Sequence, residues 1–228
     1  MFDFQEGEVL LIDKPLDWTS FQVVNKIRYA IRQKLGVKKI KVGHAGTLDP
    51  LATGLLILCT GKKTKTIDQI QAQEKEYTGI IKLGSTTPSF DLETEIDKTF
   101  DTSALTEELI KEAAQRLTGD LEQIPPSFSA KKIKGQRAYD LARKGEMVEI
   151  PPKPVKVYEF DANCADLLNI DFRIRCSKGT YIRSLARDLG LETNTGGHLT
   201  KLRRTKIGDF DVNDALSIEQ MIEVINQG

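Results

Sequence analysis

Hydrophobic and polar positions follow two rhythms along this chain. NIDFRIRC (169–176) puts Ile170, Phe172, Ile174 and Cys176 on one face, the period of two expected of a half-buried strand. TSFQVVNKIRYAIRQKLG (19–36) spaces Phe21, Val24, Ile27 and Ile31 at helical intervals and predicts a helix with those four on its buried stripe. Thr19 and Gln22 stand at capping-box spacing, and Gly36 ends the helix. Strands are predicted in GEVLLIDKP (7–15), stopped by Pro15, and in EYTGIIKLG (76–84), VKVYEF (155–160) and HLTKLRRTKIGDF (198–210). Helices are predicted in TEELIKEAAQRLTG (106–119), RAYDLARKG (137–145), TYIRSLARDLG (180–190) and SIEQMIEVINQ (217–227). The first of these opens on Thr106 with two glutamates where the helix dipole favours them, the third ends at Gly190, and the last is capped by Ser217. GLLILCTG (54–61) is apolar almost throughout, which fits a buried strand or a tightly packed helix equally. Strands and helices intermix without a regular βαβ rhythm. The pattern predicts an α+β fold around a central mixed, mostly antiparallel sheet flanked by helices.

The 228 residues suit one large domain, or one domain with a substantial insertion. No apolar run approaches the roughly 18 residues of a membrane helix, and the acidic N-terminal stretch MFDFQEGEVLLIDKP lacks the basic start of a signal peptide. Cys59, Cys164 and Cys176 are odd in number and far apart, and with two histidines they make no metal-ligand spacing. A reduced, cytoplasmic, metal-free protein with no membrane attachment is expected. Lys+Arg 33 and Asp+Glu 33 cancel, but the distribution is uneven. Basic residues dominate from Val24 to Lys65, where Asp49 is the one acid, and again from Arg173 to Lys206; acids gather in 91–123 and after 208. Mixed solvated faces would explain this; one basic and one acidic face would instead mark a polyanion binder. The segment PPSFSAKKIKGQRAYDLARKGEMVEIPPKP (125–154) has proline pairs at both ends and basic residues between. It reads as an insertion from the sheet, and its charge favours an RNA-gripping arm over a plain surface hairpin.

Single motifs decide little. TGKKT (60–64) is no phosphate loop: the required upstream glycine is Leu56, and Lys63 stands where Ser or Thr should follow the lysine. Asp49 before Pro50 is a good helix N-cap. His44 alone is more often a loop histidine, Tyr77 a core residue, and Arg183 a solvated helix residue.

The constellation changes those odds. GHAGTLDPLATG (43–54), KEYTGIIKLG (75–84), CSKGTYIRSLARDLG (176–190) and HLTKLRRTKIGDF (198–210) occur in that order, with LLIDKP near the start and PPSFSAKKIKGQRAY in the middle. Together they closely resemble the bacterial tRNA uridine-55 pseudouridine synthases, the TruB family, over nearly the whole chain. The resemblance implies the pseudouridine synthase fold with an RNA-binding insertion, and a catalytic domain spanning 1–228 with the insertion at about 125–154. It implies Asp49 as the catalytic acid residue, His44 as a contact to T-loop bases, and Tyr77 as a stacking partner of the target uracil. Tyr181 and Arg183 would lie in the pocket, Arg183 pairing the carboxylate, and Leu202 would line it. Lys14 matches the family's Lys-Pro element as a structural support. RNA-backbone contacts are expected at Lys131, Lys132, Lys134 and Arg137 on the insertion and at Arg203 and Arg204 near Leu202. The partner would be the T-arm stem-loop of tRNA, the protein a monomer, and the metal and cofactor requirement none. The chain departs from the family in two respects. No small C-terminal RNA-binding domain is expected here, and proline stands in Thr87-Pro88-Ser89 where the family usually carries an acid. A tRNA-folding chaperone with dispensable catalysis is the alternative.

The chemistry suits these residue types. The target must be flipped out of a folded loop. A ring on a glycine-rich loop can approach closely, an aromatic face can stack on the extruded base, and a carboxylate can act at C1′ as nucleophile or as base. The residues leave a covalent glycosyl-aspartate and a glycal intermediate equally open.

Overall fold

The computed structural model describes residues 2–128, 132–133, 136–137 and 150–227. In chain order the strands and helices are β1 (Val9–Lys14), α1 (Ser20–Leu35), β2 (Val42–His44), β3 (Ala52–Thr60), α2 (Ile67–Ala72), β4 (Lys75–Leu83), β5 (Ser85–Thr86), β6 (Lys98–Thr99), α3 (Glu107–Arg116), β7 (Gly119–Gln123), β8 (Lys132–Ile133), β9 (Gln136–Arg137), β10 (Lys153–Asn163), β11 (Asn169–Cys176), α4 (Ile182–Glu192), β12 (Gly197–Ile207), β13 (Phe210–Asp211) and α5 (Ile218–Gln227). They form two compact units, Met1–Tyr77 with Leu202–Gly228, and Thr78–Lys201, so the boundaries fall inside β4 and β12.

In the first unit the strand order is β1-β3-β12, with β2 added to β3 and β13 to β12. β12 runs parallel to β3, in the register Leu202↔Ala52, Arg203↔Thr53, Arg204↔Gly54. The other pairings here are antiparallel. The ambiguous GLLILCTG is β3, and its burial explains the ambiguity. Leu56 and Leu58 pack with Val23, Val24, Ile27 and Ile31 of α1 and with Ile218, Met221 and Ile225 of α5. Leu55, Ile57 and Cys59, on the opposite face, pack with Ala45, Ile70, Ile207 and Val212. A strand buried on both faces reads as one apolar run. Gly54, at φ 100°, faces the β12 backbone: an added Cβ would lie 2.3 Å from the Arg204 carbonyl oxygen, so a side chain there would separate the parallel pair.

The capping box of α1 forms as its spacing predicts, and Gly36 takes the left-handed conformation. One member of the predicted stripe is corrected: Phe21 is 64% exposed, and Val23 and Ala30 join the buried face instead.

In the second unit the order is β12-β4-β11-β10-β7. β11 buries Ile170, Phe172, Ile174 and Cys176 as expected. Its pairing with β10 sets Phe160 opposite Ile174, and Phe160 meets the Phe172 ring edge-on at 6.4 Å. α3 is capped by Thr106. Gly190 does not end its helix, since α4 continues to Glu192. It is instead a point of close approach, where a Cβ would lie 2.1 Å from the Gly197 nitrogen. In the 125–154 insertion β8 and β9 pair, Lys132 opposite Arg137. Arg137 is therefore in a strand, and the rest of the expected helix, 138–145, lies outside the described residues.

Candidate active site

In the first unit the glycine-rich segment is a loop between paired strands. His44 ends β2 opposite Leu58 of β3. The Ala45 amide still donates to Ile57 (2.9 Å), and at Gly46, with φ 103°, the chain leaves the sheet. It returns through a tight turn in which the Ala52 amide donates to the Asp49 carbonyl (3.0 Å) and β3 begins. No helix follows Asp49, so the N-cap reading is corrected: its half-buried carboxylate is carried on a strand-to-strand turn.

Four groups hold that turn. The Ser20 hydroxyl donates to the Leu48 carbonyl (3.1 Å) and accepts from the Leu48 amide (2.9 Å). The Asp17 amide donates to the Pro50 carbonyl (2.9 Å). The fully buried Lys14 ammonium donates to the carbonyls of Trp18 (2.7 Å), Pro15 (2.9 Å) and Pro50 (3.4 Å). The Arg204 guanidinium donates to the carbonyls of Leu55 (2.9 Å), Gly46 (3.1 Å) and Thr47 (3.4 Å). Arg204 is therefore corrected as an RNA-backbone contact: at 1% exposure its donors are used inside the protein. Arg203, pointing the other way as strand alternation requires, is half-buried and grips Asp13 with two hydrogen bonds of 2.9 and 2.8 Å.

Burial lowers the Lys14 ammonium to about 8; the Asp49 and Asp17 carboxylates oppose that shift and Arg204 adds to it. Burial likewise pushes the His44 imidazole below its ordinary value, opposed by the Gly46 backbone and reinforced by Arg204. His44 Nδ1 is buried with no hydrogen bond of normal geometry among the described residues. Tyr77, 9% exposed, lies at the boundary position of β4, and Leu202 lies opposite Ala52 with its carbonyl accepting from the Thr53 hydroxyl (3.4 Å).

The second unit holds the other two predicted pocket residues. Arg183, in the first turn of α4, is 4% exposed. Its Nη1 donates to the Ser89 carbonyl (3.3 Å), and its Nε lies 3.5 Å from the buried Asp91 carboxylate. The chain folds round Asp91: the hydroxyls of Thr87 (2.7 Å) and Ser89 (3.2 Å) donate to its carbonyl, and the Glu93 amide donates to its carboxylate (3.0 Å). Asp91 was not singled out by the sequence. The departure at Pro88 drew attention to a missing acid, while the acid that meets Arg183 comes three residues later in a stretch full of acids. Gln123 was missed as well. Its buried side-chain amide donates to the Tyr181 carbonyl (3.1 Å) and accepts from the Tyr181 amide (2.8 Å), while the Lys153 ammonium sits 4.4 Å above the Tyr181 ring. Lys131 and Lys134 lie outside the described residues, and Lys132 and Arg137 are described by backbone alone. Among the described residues no group of His, Cys, Asp and Glu side chains could hold a metal ion, and no helix is long and apolar enough to cross a membrane.

Comparison with known proteins shows the family. Residues 32–182 match the family described as TruB family pseudouridylate synthase (N terminal domain), and 183–227 match the tRNA pseudouridylate synthase B C-terminal domain. The tRNA pseudouridine synthase B of Phocaeicola vulgatus is 60% identical over 225 residues, covering 99% of this chain and 96% of that protein. That of Flavobacterium johnsoniae is 57% identical, covering 95% of each. Among solved structures, a Cbf5-Nop10-Gar1 complex matches with a TM-score of 0.70 at 26% identity, over 96% of this chain and 54% of the matched one. The fold is thus that of pseudouridine synthases, and the chain belongs to the TruB family of pseudouridylate synthases.

Proposed function

We propose that this protein is a tRNA pseudouridine synthase that isomerises uridine 55 in the T loop. The reaction breaks the N1–C1′ bond, turns the base and joins C5 to C1′; C5 loses a proton and N1 gains one. Atoms and electrons balance within the substrate, so the chemistry calls for no redox carrier and no metal. The observation that carries the reading is the Asp49 turn, a half-buried carboxylate on a loop whose neighbouring carbonyls are held by two buried cations. Such bracing suits a group that must meet one carbon atom in one geometry.

Asp49 acts at C1′ as nucleophile or base. His44, whose proton affinity is lowered by burial, fits contact with T-loop bases better than phosphate binding. Tyr77 stacks on the flipped uracil, an interaction worth about 1–3 kcal/mol. Tyr181 and Leu202 serve substrate binding, and Arg183 serves catalysis. The substrate is gripped through the T arm, with the 125–154 insertion and its Lys131, Lys132, Lys134 and Arg137 on the phosphate backbone. The protein works as a monomer in the cytoplasm, away from membranes.

Asp49→Asn tests the reading. Asn keeps the shape and loses the charge. The variant should stay folded by thermal melting, bind unmodified tRNA, and form no pseudouridine. An Asn variant that turns over like the parent would remove Asp49 from the chemistry. A chaperone with dispensable catalysis would keep its tRNA-refolding effect in this variant.

A further inference from the structure

We propose that Arg204 is a positioning residue for the isomerisation: its guanidinium pins the chain on both sides of Asp49 and so fixes where the carboxylate is delivered. The proposal rests on the reading of Asp49 as the catalytic group.

The other braces act locally. Ser20 holds Leu48, and Lys14 and Asp17 hold Pro50, the immediate neighbours of Asp49. Arg204 alone among them spans the loop, reaching Gly46 and Thr47 before Asp49 and Leu55 after it. It sits in register with Gly54 in the parallel β3–β12 pair, on the same face of the strand as Leu202. The strand that offers a pocket residue therefore also anchors the loop.

Its charge supports a positioning role over space-filling. Among the described residues no carboxylate lies within ion-pair distance of Arg204, which leaves only carbonyl oxygens against a guanidinium at 1% exposure. Burying a charge without a counter-charge is costly, and an apolar side chain of similar size serves stability as well or better. What an apolar residue lacks is a rigid planar fork that can donate in several directions at once. The guanidinium also lies close enough to lower the proton affinities of His44 and Lys14, so it is part of the same electrostatic cluster as the loop it holds.

Two variants test this. Arg204→Lys keeps the charge but cannot reach three separated carbonyls; Arg204→Met removes charge and donors together and leaves no buried cation to desolvate. Single-turnover tritium release from a tRNA transcript labelled at uridine C5 is measured at saturating enzyme, per folded molecule, with the folded fraction taken from melting curves. tRNA affinity is measured in parallel by filter binding. A misplacement of about 1 Å costs on the order of 10²-fold in rate, so both variants should lose roughly that factor while tRNA affinity is little changed. A purely structural Arg204 would lower the melting temperature and leave the rate per folded molecule at the parent's value, which overturns the proposal. Rate and affinity falling together would make Arg204 an RNA contact, which also overturns it. Asp49→Asn in the same assay separates the two readings. If it is inactive while the Arg204 variants match the parent, only the positioning role fails; if it turns over, the reading of the loop fails first.

Discussion

Arg204 and Arg183 are both buried, one in each compact unit, and they meet different partners. Arg204 ends on three neutral carbonyls, as does the Lys14 ammonium, one of whose three is Pro50 on the same loop. Arg183 lies against the Asp91 carboxylate, with the Ser89 carbonyl as a second partner. A cation on carbonyls is solvated but keeps its net charge, so the first arrangement leaves a positive field for an anion held on the loop. A cation beside a carboxylate is largely neutralised but fixed in direction. One cation keeps its net charge while it braces the loop and the other is offset by a carboxylate, and substitutions should expose that difference.

The largest stability effect is expected at Asp91. Asp91→Asn removes the carboxylate that lies 3.5 Å from Arg183 Nε, and breaking a buried pair costs about 3–5 kcal/mol, readable by denaturant unfolding. Arg183→Lys keeps the charge but loses the planar fork. It should lower turnover strongly with a modest loss of tRNA affinity. Equal losses of both would make Arg183 a phosphate contact and break the contrast.

A smaller, pH-dependent effect is expected from Lys14. Its folded value of about 8 lies below the ordinary 10.5. Between those values the unfolded chain holds a proton that the folded chain has shed, so this group makes stability rise with pH across that window. Lys14→Met removes the contribution. The stability of the parent relative to the variant should therefore increase from about pH 7.5 to pH 9.5, measured by denaturant unfolding at each pH. A flat difference would mean that the ammonium carries no such desolvation cost.

Local signals were legible in the sequence and long-range ones were not. Thr19 and Gln22 cap α1 through bonds three residues apart, and β11 alternates along its own length; both are written in neighbouring letters. Phe21 has the right helical spacing yet faces solvent, because the buried arc of α1 is set by what β3 and α5 present to it. Asp49-Pro50 reads as a cap because the turn and the cap share the same letters, and only the strand that follows separates them. Arg203 and Arg204 look interchangeable, but their two faces are assigned by the β3–β12 register, made with residues about 150 positions away. The proposed site residues His44, Asp49, Tyr77, Tyr181, Arg183 and Leu202 were legible through family motifs. Asp91 and Gln123, which act through backbone and buried contacts, were not.

On this reading the chain converts a T-loop uridine to pseudouridine. Chemical mapping of pseudouridine in an unmodified tRNA transcript incubated with the protein tests it most directly. One new pseudouridine at position 55 of the T loop is the predicted result. A transcript that is bound and refolded yet gains no pseudouridine there would contradict the claim.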